Sequence, residues 1–216
     1  MWHWAHVPVR HCDPWWENET DWHRAWKAVF PEDWREVVMV DGATGEKHIA
    51  DIRTAGGLVV ELQHSAITLK EFRSREAFYR HLVWIVDGRP FARRFEVLPD
   101  PLPHPDSSLH DDVVFFPNLA SAFWRRSEQV EESKLVEMHY SSKIADQIQA
   151  DYCGHHFFRW TRPHEVWYEA SAPVYLDFGT YELLRLSRVG QQWAIQRLAR
   201  AEVIEALLRS LTAPPG

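Results

Sequence analysis

The chain has 216 residues, of which 45% are hydrophobic, which is enough for a hydrophobic interior. This length predicts either one large domain or a central domain with a second one appended. A net charge of −7 disfavours strong unaided binding to DNA, because DNA-binding proteins place Lys and Arg on phosphates. No apolar run is long enough to span a membrane, no signal peptide is evident, and two cysteines offer no disulfide framework. We therefore expect a cytoplasmic protein without a membrane partner.

The first predicted element is a helix that begins at Asn18, with Asn18 and Asp21 as its N-cap pair, and ends before Pro31. Glu19, His23 and Lys27 recur every four residues and therefore share one helix face. That face is either part of a functional site or a solvated face with salt bridges. Glu19, near the helix start, alternatively complements the helix dipole.

Three strands follow, near residues 36–40, 48–53 and 58–64, and the last two form a hairpin around the turn 54–57. If the turn centres on Gly56, Asp51 lies directly opposite Glu61. Two carboxylates at that distance repel each other, and the usual remedy is a bound cation such as Mg²⁺ or Mn²⁺. The hairpin therefore predicts a divalent-metal site. This prediction requires that the two carboxylates lie together and that neither is held by an arginine in the interior.

A capping box at Thr68–Glu71 predicts a second helix that runs to about Leu82, and residues 83–86 predict a buried strand. The connection from strand 58–64 through this helix to strand 83–86 is expected to be a right-handed parallel crossover. Arg75 and Tyr79 are one turn apart on this helix. We interpret Arg75 as a phosphate contact, and Tyr79 either as a neighbouring contact or as a core residue.

Residues 99–112 are rich in Pro and Asp and predict a linker or loop between residues 1–98 and an α+β extension at 113–216. Within the extension we expect a helix inside 119–150, strands near 156–160, 166–168, 174–178 and 183–186, and a last helix over 201–211. Asp177 is interpreted either as another acidic ligand or as a turn former before Gly179.

The N-terminal tryptophans and the clustered His and Cys residues each raise a further question of function. Four tryptophans precede the first helix, where they either stack on bases or pack on the core: Trp2, Trp4, Trp15 and Trp16. Two groups of His and Cys residues lack the spacing of a strong zinc motif: His3, His6, His11 and Cys12, and then Cys153, His155 and His156. A structural zinc is not expected.

Several motifs resemble those of one nuclease superfamily. An acidic residue on one strand, a short turn and Glu-x-Gln on the next strand resemble the PD-(D/E)xK nucleases. The segments ADI and VELQHS, with HWAH at residues 3–6, WHRAWK at 22–27 and RxxFY at 75–79, resemble the branch named for the competence protein CoiA. The resemblance covers about the first ninety residues well. It implies a mixed α+β or α/β fold with a restriction-endonuclease-like αβββαβ core that cleaves DNA phosphodiesters with a divalent metal.

The resemblance also implies roles for individual residues. Asp51, Glu61 and the backbone carbonyl of Leu62 would bind the metal, and Glu19 would join them directly or through water. Gln63 stands where many of these enzymes have Lys, so it would orient water or a phosphate oxygen without supplying charge. Lys27 or His64 would supply that charge. The candidate substrate contacts are His23, His64, Arg75 and Tyr79, and His64 is alternatively structural.

These expectations together predict a divalent-metal-dependent DNA nuclease that uses metal-activated water. An RNA nuclease would differ only in its substrate. The alternative is an inactive nuclease-fold adaptor that binds nucleic acid or protein in DNA uptake, repair or phage defence. Because the chain is acidic, a partner protein that delivers the substrate is also expected.

Overall fold

A computed structural model describes residue 15 and residues 18–42, 45–130 and 135–210. Within these residues the chain forms four α-helices and twelve strands. In chain order they are α1 (Asp21–Lys27), β1 (Arg35–Val40), β2 (Lys47–Arg53), β3 (Val59–Gln63), α2 (Leu69–Phe78), β4 (Leu82–Asp87), β5 (Phe95–Leu102), β6 (Val113–Phe116), β7 (Leu119–Arg125), β8 (His139–Tyr140), α3 (Ala145–Asp151), β9 (His155–Trp160), β10 (Val174–Asp177), β11 (Glu182–Val189), β12 (Gln192–Ala199) and α4 (Arg200–Arg209). The protein belongs to the mixed α+β class.

The chain divides into two compact units that do not follow the predicted boundaries. The first unit contains the described residues of Met1–Asp87, His164–Val174 and Glu202–Gly216, and the second contains those of Gly88–Pro163 and Tyr175–Ala201. The late segments join the first unit through contacts that local sequence patterns do not reveal. The Trp167 ring meets Trp84 edge to face, and Thr54 Oγ1 donates to the Ser210 carbonyl at 3.4 Å.

The sheet of the first unit has the order β1–β2–β3–β4. β1 pairs antiparallel with β2, and β2 pairs antiparallel with β3. β3 and β4 are parallel, with Glu61 aligned to Trp84, and α2 connects them. The predicted parallel pairing is therefore confirmed, and helix, three strands, helix and strand follow in the predicted order.

The β2–β3 hairpin forms where the glycines permit a tight turn. Thr54 N donates to the Leu58 carbonyl at 2.8 Å, and Gly57 N donates to the Thr54 carbonyl at 2.9 Å. Gly57 has φ +84°, a conformation that costs glycine little because it has no Cβ. The register aligns Ile52 with Val60 and Arg53 with Val59, and the same register carries Asp51 opposite Glu61.

The helix boundaries differ in detail from the predicted ones. Thr20 caps α1 instead of Asn18, because the Thr20 side chain accepts from His23 N while His23 Nδ1 accepts from Thr20 N at 3.2 Å. Thr68 caps α2 as predicted. α2 ends at Phe78, whereas the prediction took it to Leu82, which instead begins β4.

In the second unit, five antiparallel strands follow the order β10–β11–β12–β9–β5, and β6–β7–β8 form a separate sheet.

The predicted linker at 99–112 is wrong in its first part, because β5 runs through Leu102 and pairs with β9. The helix predicted within 119–150 is α3, which lies at the end of that range, and β7 and β8 precede it. A 3₁₀ turn over Glu165–Glu169 replaces the strand predicted at 166–168. None of the described helices is long and apolar enough to cross a membrane.

Candidate functional site

The hairpin brings the two predicted carboxylates together. Asp51 N donates to Glu61 Oε1 at 3.3 Å, and Leu62 N donates to Asp51 Oδ2 at 3.0 Å. Each side chain therefore reaches across the β2–β3 pair to the backbone of the neighbouring strand. The Asp51 side chain keeps 22% of its surface exposed, whereas Glu61 keeps only 4%.

Glu61 lies in the interior against an arginine. Arg75 Nη1 donates to Glu61 Oε2 at 2.9 Å, and Arg75 itself is only 4% exposed. Arg75 also donates to Glu71 Oε1 at 2.6 Å, to Gln63 Oε1 at 3.4 Å and to the Trp15 carbonyl at 2.9 Å. The expectation that Arg75 is a surface contact for phosphate is therefore wrong, because α2 directs it into the first unit. The premise that neither carboxylate is held by a buried arginine is also wrong, so the hairpin by itself no longer predicts a metal site, and a metal proposal is left with Glu61 Oε1 and the Asp51 carboxylate.

Lys27, on α1, provides the positive charge opposite the Asp51 carboxylate. Its Nζ lies 3.0 Å from Asp51 Oδ1, 3.2 Å from Glu19 Oε1 and 3.3 Å from Glu36 Oε1. Burial lowers the pKa of Lys27, but the charges of Asp51 and Glu36 and the hydrogen bonds of Asp51 and Glu19 raise it above its ordinary value. The ammonium group therefore keeps its charge, and Glu19 belongs to the cluster around it.

Among the residues that the structure describes, five carboxylates lie around Lys27 and Arg75. The carboxylates that contact Lys27 or Arg75 are Glu19, Glu36, Asp51, Glu61 and Glu71. Arg24 adds a more distant and exposed partner, 3.8 Å from Glu19. Burial and the charge of Asp51 raise the pKa of Glu61, and the attraction of Arg75 does not cancel these two effects. The cluster thus retains capacity for a further positive charge.

Glu36 is a member of the cluster that sequence reasoning missed. It is one of two described non-glycine residues with positive φ, at 52°. The β1–β2 register passes from the pair Arg35–Ile52 to the pair Val37–Ala50 and omits Glu36. A left-handed conformation costs a non-glycine residue about 1–2 kcal/mol, and nothing in the local sequence indicates it. The only sequence signal is that Glu36 falls opposite Asp51 once the strands are aligned.

His23 and Gln63 lie deeper than expected. His23 Nδ1 accepts from Thr20 N, so Nε2 carries the proton of a neutral ring and donates to the Leu62 carbonyl at 3.1 Å. That carbonyl, expected to bind a metal, is thus engaged by His23. Gln63 is buried, and its Nε2 donates to the Ser65 carbonyl at 3.2 Å. Neither His23 nor Gln63 is positioned at the surface for a phosphate.

The remaining substrate-contact candidates divide between the interior and the surface. Tyr79 is buried, and its ring meets Phe78 and Trp15 edge to face, which agrees with the packing interpretation. Trp15 also stacks on His48, so this tryptophan packs against the fold. Trp2, Trp4 and Trp16 lie outside the described residues. His64 is half-buried, and its Nδ1 lies 2.8 Å from Asp87 Oδ2.

A second possible set of metal ligands lies away from the hairpin. Among the described residues, Glu128, Glu137 and His139 are the only set of three whose donor atoms lie within 4.8 Å of one another. Lys143 Nζ lies 3.3 Å from His139 Nδ1, which places a positive charge beside that set. The hairpin offers a smaller set, with two carboxylates. Mg²⁺ is commonly held by one or two carboxylates, waters and substrate phosphates.

The other histidine, cysteine and aspartate candidates have structural partners. Cys153 Sγ lies 3.2 Å from His155 Nδ1, but His156 turns to the Leu98 carbonyl and the Tyr152 hydroxyl. These three residues therefore do not converge on one point. Asp177 accepts from Gly179 N at 2.8 Å and forms a bidentate ion pair with Arg200, as expected of a turn former. The other zinc candidates, His3, His6, His11 and Cys12, lie outside the described residues.

Comparisons of the chain with models of known families, with curated proteins and with solved structures found no match.

Proposed function

We propose that the protein is a divalent-metal-dependent nuclease with a restriction-endonuclease-like αβββαβ core that hydrolyses DNA phosphodiester bonds. The observation that carries the proposal is the cluster on the β2–β3 hairpin. There, two cross-strand carboxylates meet a lysine, and among the described residues five carboxylates contact Lys27 or Arg75. A surplus of buried or half-buried negative charge favours a bound cation.

The donor set is compatible with Mg²⁺ or Mn²⁺ in one specific way. Arg75 occupies Glu61 Oε2, while Glu61 Oε1 faces the Asp51 backbone. Glu61 Oε1 would be the oxygen left for a cation beside the Asp51 carboxylate, and Arg75 would orient Glu61, as the hydrogen-bond partners of metal ligands commonly do. Asp51 is partly open to solvent, which gives a cation access. A bound metal would polarise the phosphate and lower the pKa of water.

Each side chain of the cluster would then have a separate role in the reaction. Lys27, 3.0 Å from Asp51, supplies the positive charge that Gln63 lacks and would stabilise charge that develops on the phosphate. Glu19 and Glu36 hold Lys27 in place and are positioning residues. Gln63 supports Arg75 through its side-chain oxygen. The acidic net charge favours delivery of the DNA by a partner protein.

The second candidate is the inactive adaptor, which keeps the fold and binds nucleic acid or protein in DNA uptake, repair or phage defence. A specific observation favours it: Asp51 and Glu61 already have protein counter-ions in Lys27 and Arg75. In an adaptor these ion pairs are structural, and the protein binds no metal at the hairpin.

One experiment separates the two candidates. Purified protein is incubated with plasmid, linear single-stranded DNA and RNA in Mg²⁺ or Mn²⁺, beside Asp51→Asn and the exposed control Asp33→Asn, which removes the same charge elsewhere. Mn²⁺ binding is measured by calorimetry on the same samples. A nuclease cuts and binds Mn²⁺, and only Asp51→Asn abolishes both. Absence of both cutting and metal binding in the unaltered protein contradicts the nuclease and supports the adaptor.

A further inference from the structure

A histidine–aspartate pair lies at the carboxyl ends of the two parallel strands. Gln63 and Val86 form the last β3–β4 pair, and His64 and Asp87 stand next in the same register. His64 Nδ1 lies 2.8 Å from Asp87 Oδ2, and the Asp87 side chain is fully buried whereas that of His64 is 35% exposed. In open sheets with parallel strands, ligands bind beyond the carboxyl ends of those strands.

The hydrogen bond fixes which nitrogen of His64 is available. An Asp87 carboxylate only accepts, so in the neutral ring Nδ1 carries the proton and Nε2 presents its lone pair. No described residue hydrogen-bonds to His64 Nε2. A buried carboxylate behind a histidine whose other nitrogen faces outward is the arrangement that orients a general base.

The helix α1 links this pair to the carboxylate cluster. Lys27, which contacts Asp51, is one helical turn from His23 on the same face of α1. The His23 ring lies 6.0 Å from the His64 ring, centroid to centroid, and His23 Nε2 binds the Leu62 carbonyl next to Glu61. One face of α1 therefore runs from the carboxylate cluster to His64.

We propose that His64 is a catalytic residue of this site, a general base that Asp87 orients as a positioning residue; this proposal rests on the proposed nuclease function. His64 Nε2 takes a proton from the attacking water as the water oxygen forms its bond to phosphorus and the bond from phosphorus to the leaving oxygen breaks. Water protonates the leaving alkoxide, and the hydroxide that this leaves takes the proton from the imidazolium, which Asp87 stabilises.

The test compares His64→Ala, Asp87→Asn and the exposed control His81→Ala in the cleavage assay, with and without added imidazole. General-base catalysis contributes about 10²–10⁴-fold, so His64→Ala should lose that factor in turnover while Mn²⁺ affinity stays within about twofold. Imidazole should restore turnover in His64→Ala as its concentration rises, but not in Asp87→Asn, whose histidine is still present. His81→Ala should be unchanged. If His64→Ala does not fold, His64→Gln replaces it, since the Gln amide still donates to Asp87 but cannot take the proton.

The outcomes distinguish this proposal from the one on which it rests. If the unaltered protein cleaves and the His64 variants cleave equally well, the base is wrong and the nuclease stands. A folded His64→Ala that loses turnover without imidazole rescue also overturns the base, because that result indicates a structural role. If the unaltered protein neither cleaves nor binds Mn²⁺, both proposals fall.

Discussion

Arg75 Nη1 donates to Glu61 Oε2 across 2.9 Å, and each of these two side chains is only 4% exposed. A buried ion pair of this kind gains its attraction in a medium of low dielectric but loses the hydration of both ions. Its net contribution to stability is therefore small, while the loss of one partner is costly. The pair also fixes which oxygen of Glu61 faces Asp51, so it bears on both stability and the candidate site.

Removal of the arginine should destabilise the first unit strongly. Arg75→Met leaves Glu61 and Glu71 without their cation, and we expect the free energy of unfolding to fall by about 3–5 kcal/mol. Arg73→Met removes the same charge from the same helix, but Arg73 is exposed and, among the described residues, pairs only with Glu169, so it should cost less than about 1 kcal/mol. Urea denaturation measures both variants. Equal losses would contradict the buried character of the Arg75 pair.

The raised pKa of Glu61 predicts a pH dependence of stability. Because the folded-state pKa lies above the ordinary value of 4.5, the stability that Glu61 contributes is fully present below 4.5 and is lost as pH rises through the raised value. Glu61→Gln mimics the protonated carboxyl and lacks this loss. Urea denaturation between pH 4 and 9 should show the unaltered protein losing stability relative to Glu61→Gln. A constant difference would show that Arg75 balances burial and the charge of Asp51, and a difference of opposite slope would show that Arg75 outweighs them.

Lys27 should compete with a divalent metal for Asp51. Lys27→Met removes an ammonium group 3.0 Å from Asp51 Oδ1, and we expect Mn²⁺ affinity to rise by at least about tenfold while cleavage falls. Calorimetry and the rise in melting temperature with Mn²⁺ measure this change. Lys70→Met, an exposed position on α2, is the control and should leave affinity unchanged. Unchanged affinity in Lys27→Met would indicate that no metal binds at Asp51.

A glycine in the second unit should resist substitution for two independent reasons. Gly154 has φ +94°, and a Cβ there would lie 2.6 Å from the Arg197 carbonyl oxygen. We expect Gly154→Ala to lower the free energy of unfolding by about 2–4 kcal/mol. Gly42→Ala is the control, because a Cβ at Gly42 meets no atom within 4 Å, and it should change stability by less than about 0.5 kcal/mol. A similar cost for both variants in urea denaturation would refute this explanation.

The hairpin was predictable because its signals are local. Glycines that permit positive φ and β-branched flanks define a turn and a register, and the register alone brings Asp51 opposite Glu61. The cations that pair with these carboxylates, Lys27 and Arg75, were not predictable in the same way. Helical spacing places Lys27 on the same face of α1 as Glu19, and Arg75 on the same face of α2 as Tyr79. Spacing alone does not say which face of each helix packs against the sheet.

The errors in the second unit have a physical cause as well. Pro99 and Pro101 suggested a linker, yet they lie in β5, which is last in the order of its sheet. A strand at a sheet edge tolerates proline because the missing N–H group need not complete a ladder. Asp87 was missed for a different reason: its pairing with His64 follows from the parallel alignment of two strands that are separated by a helix.

The first unit is built from segments that are far apart in the sequence and are therefore synthesised at different times. Residues after Glu202 belong to the unit that holds the hairpin, and the Thr54 hydroxyl reaches the Ser210 carbonyl. A nascent chain on the ribosome therefore carries the hairpin long before the last segment that completes its surroundings has emerged. Completion of the packing around the β2–β3 turn should accordingly be a late, post-translational event, and truncation before residue 202 should leave that turn without its contact to Ser210.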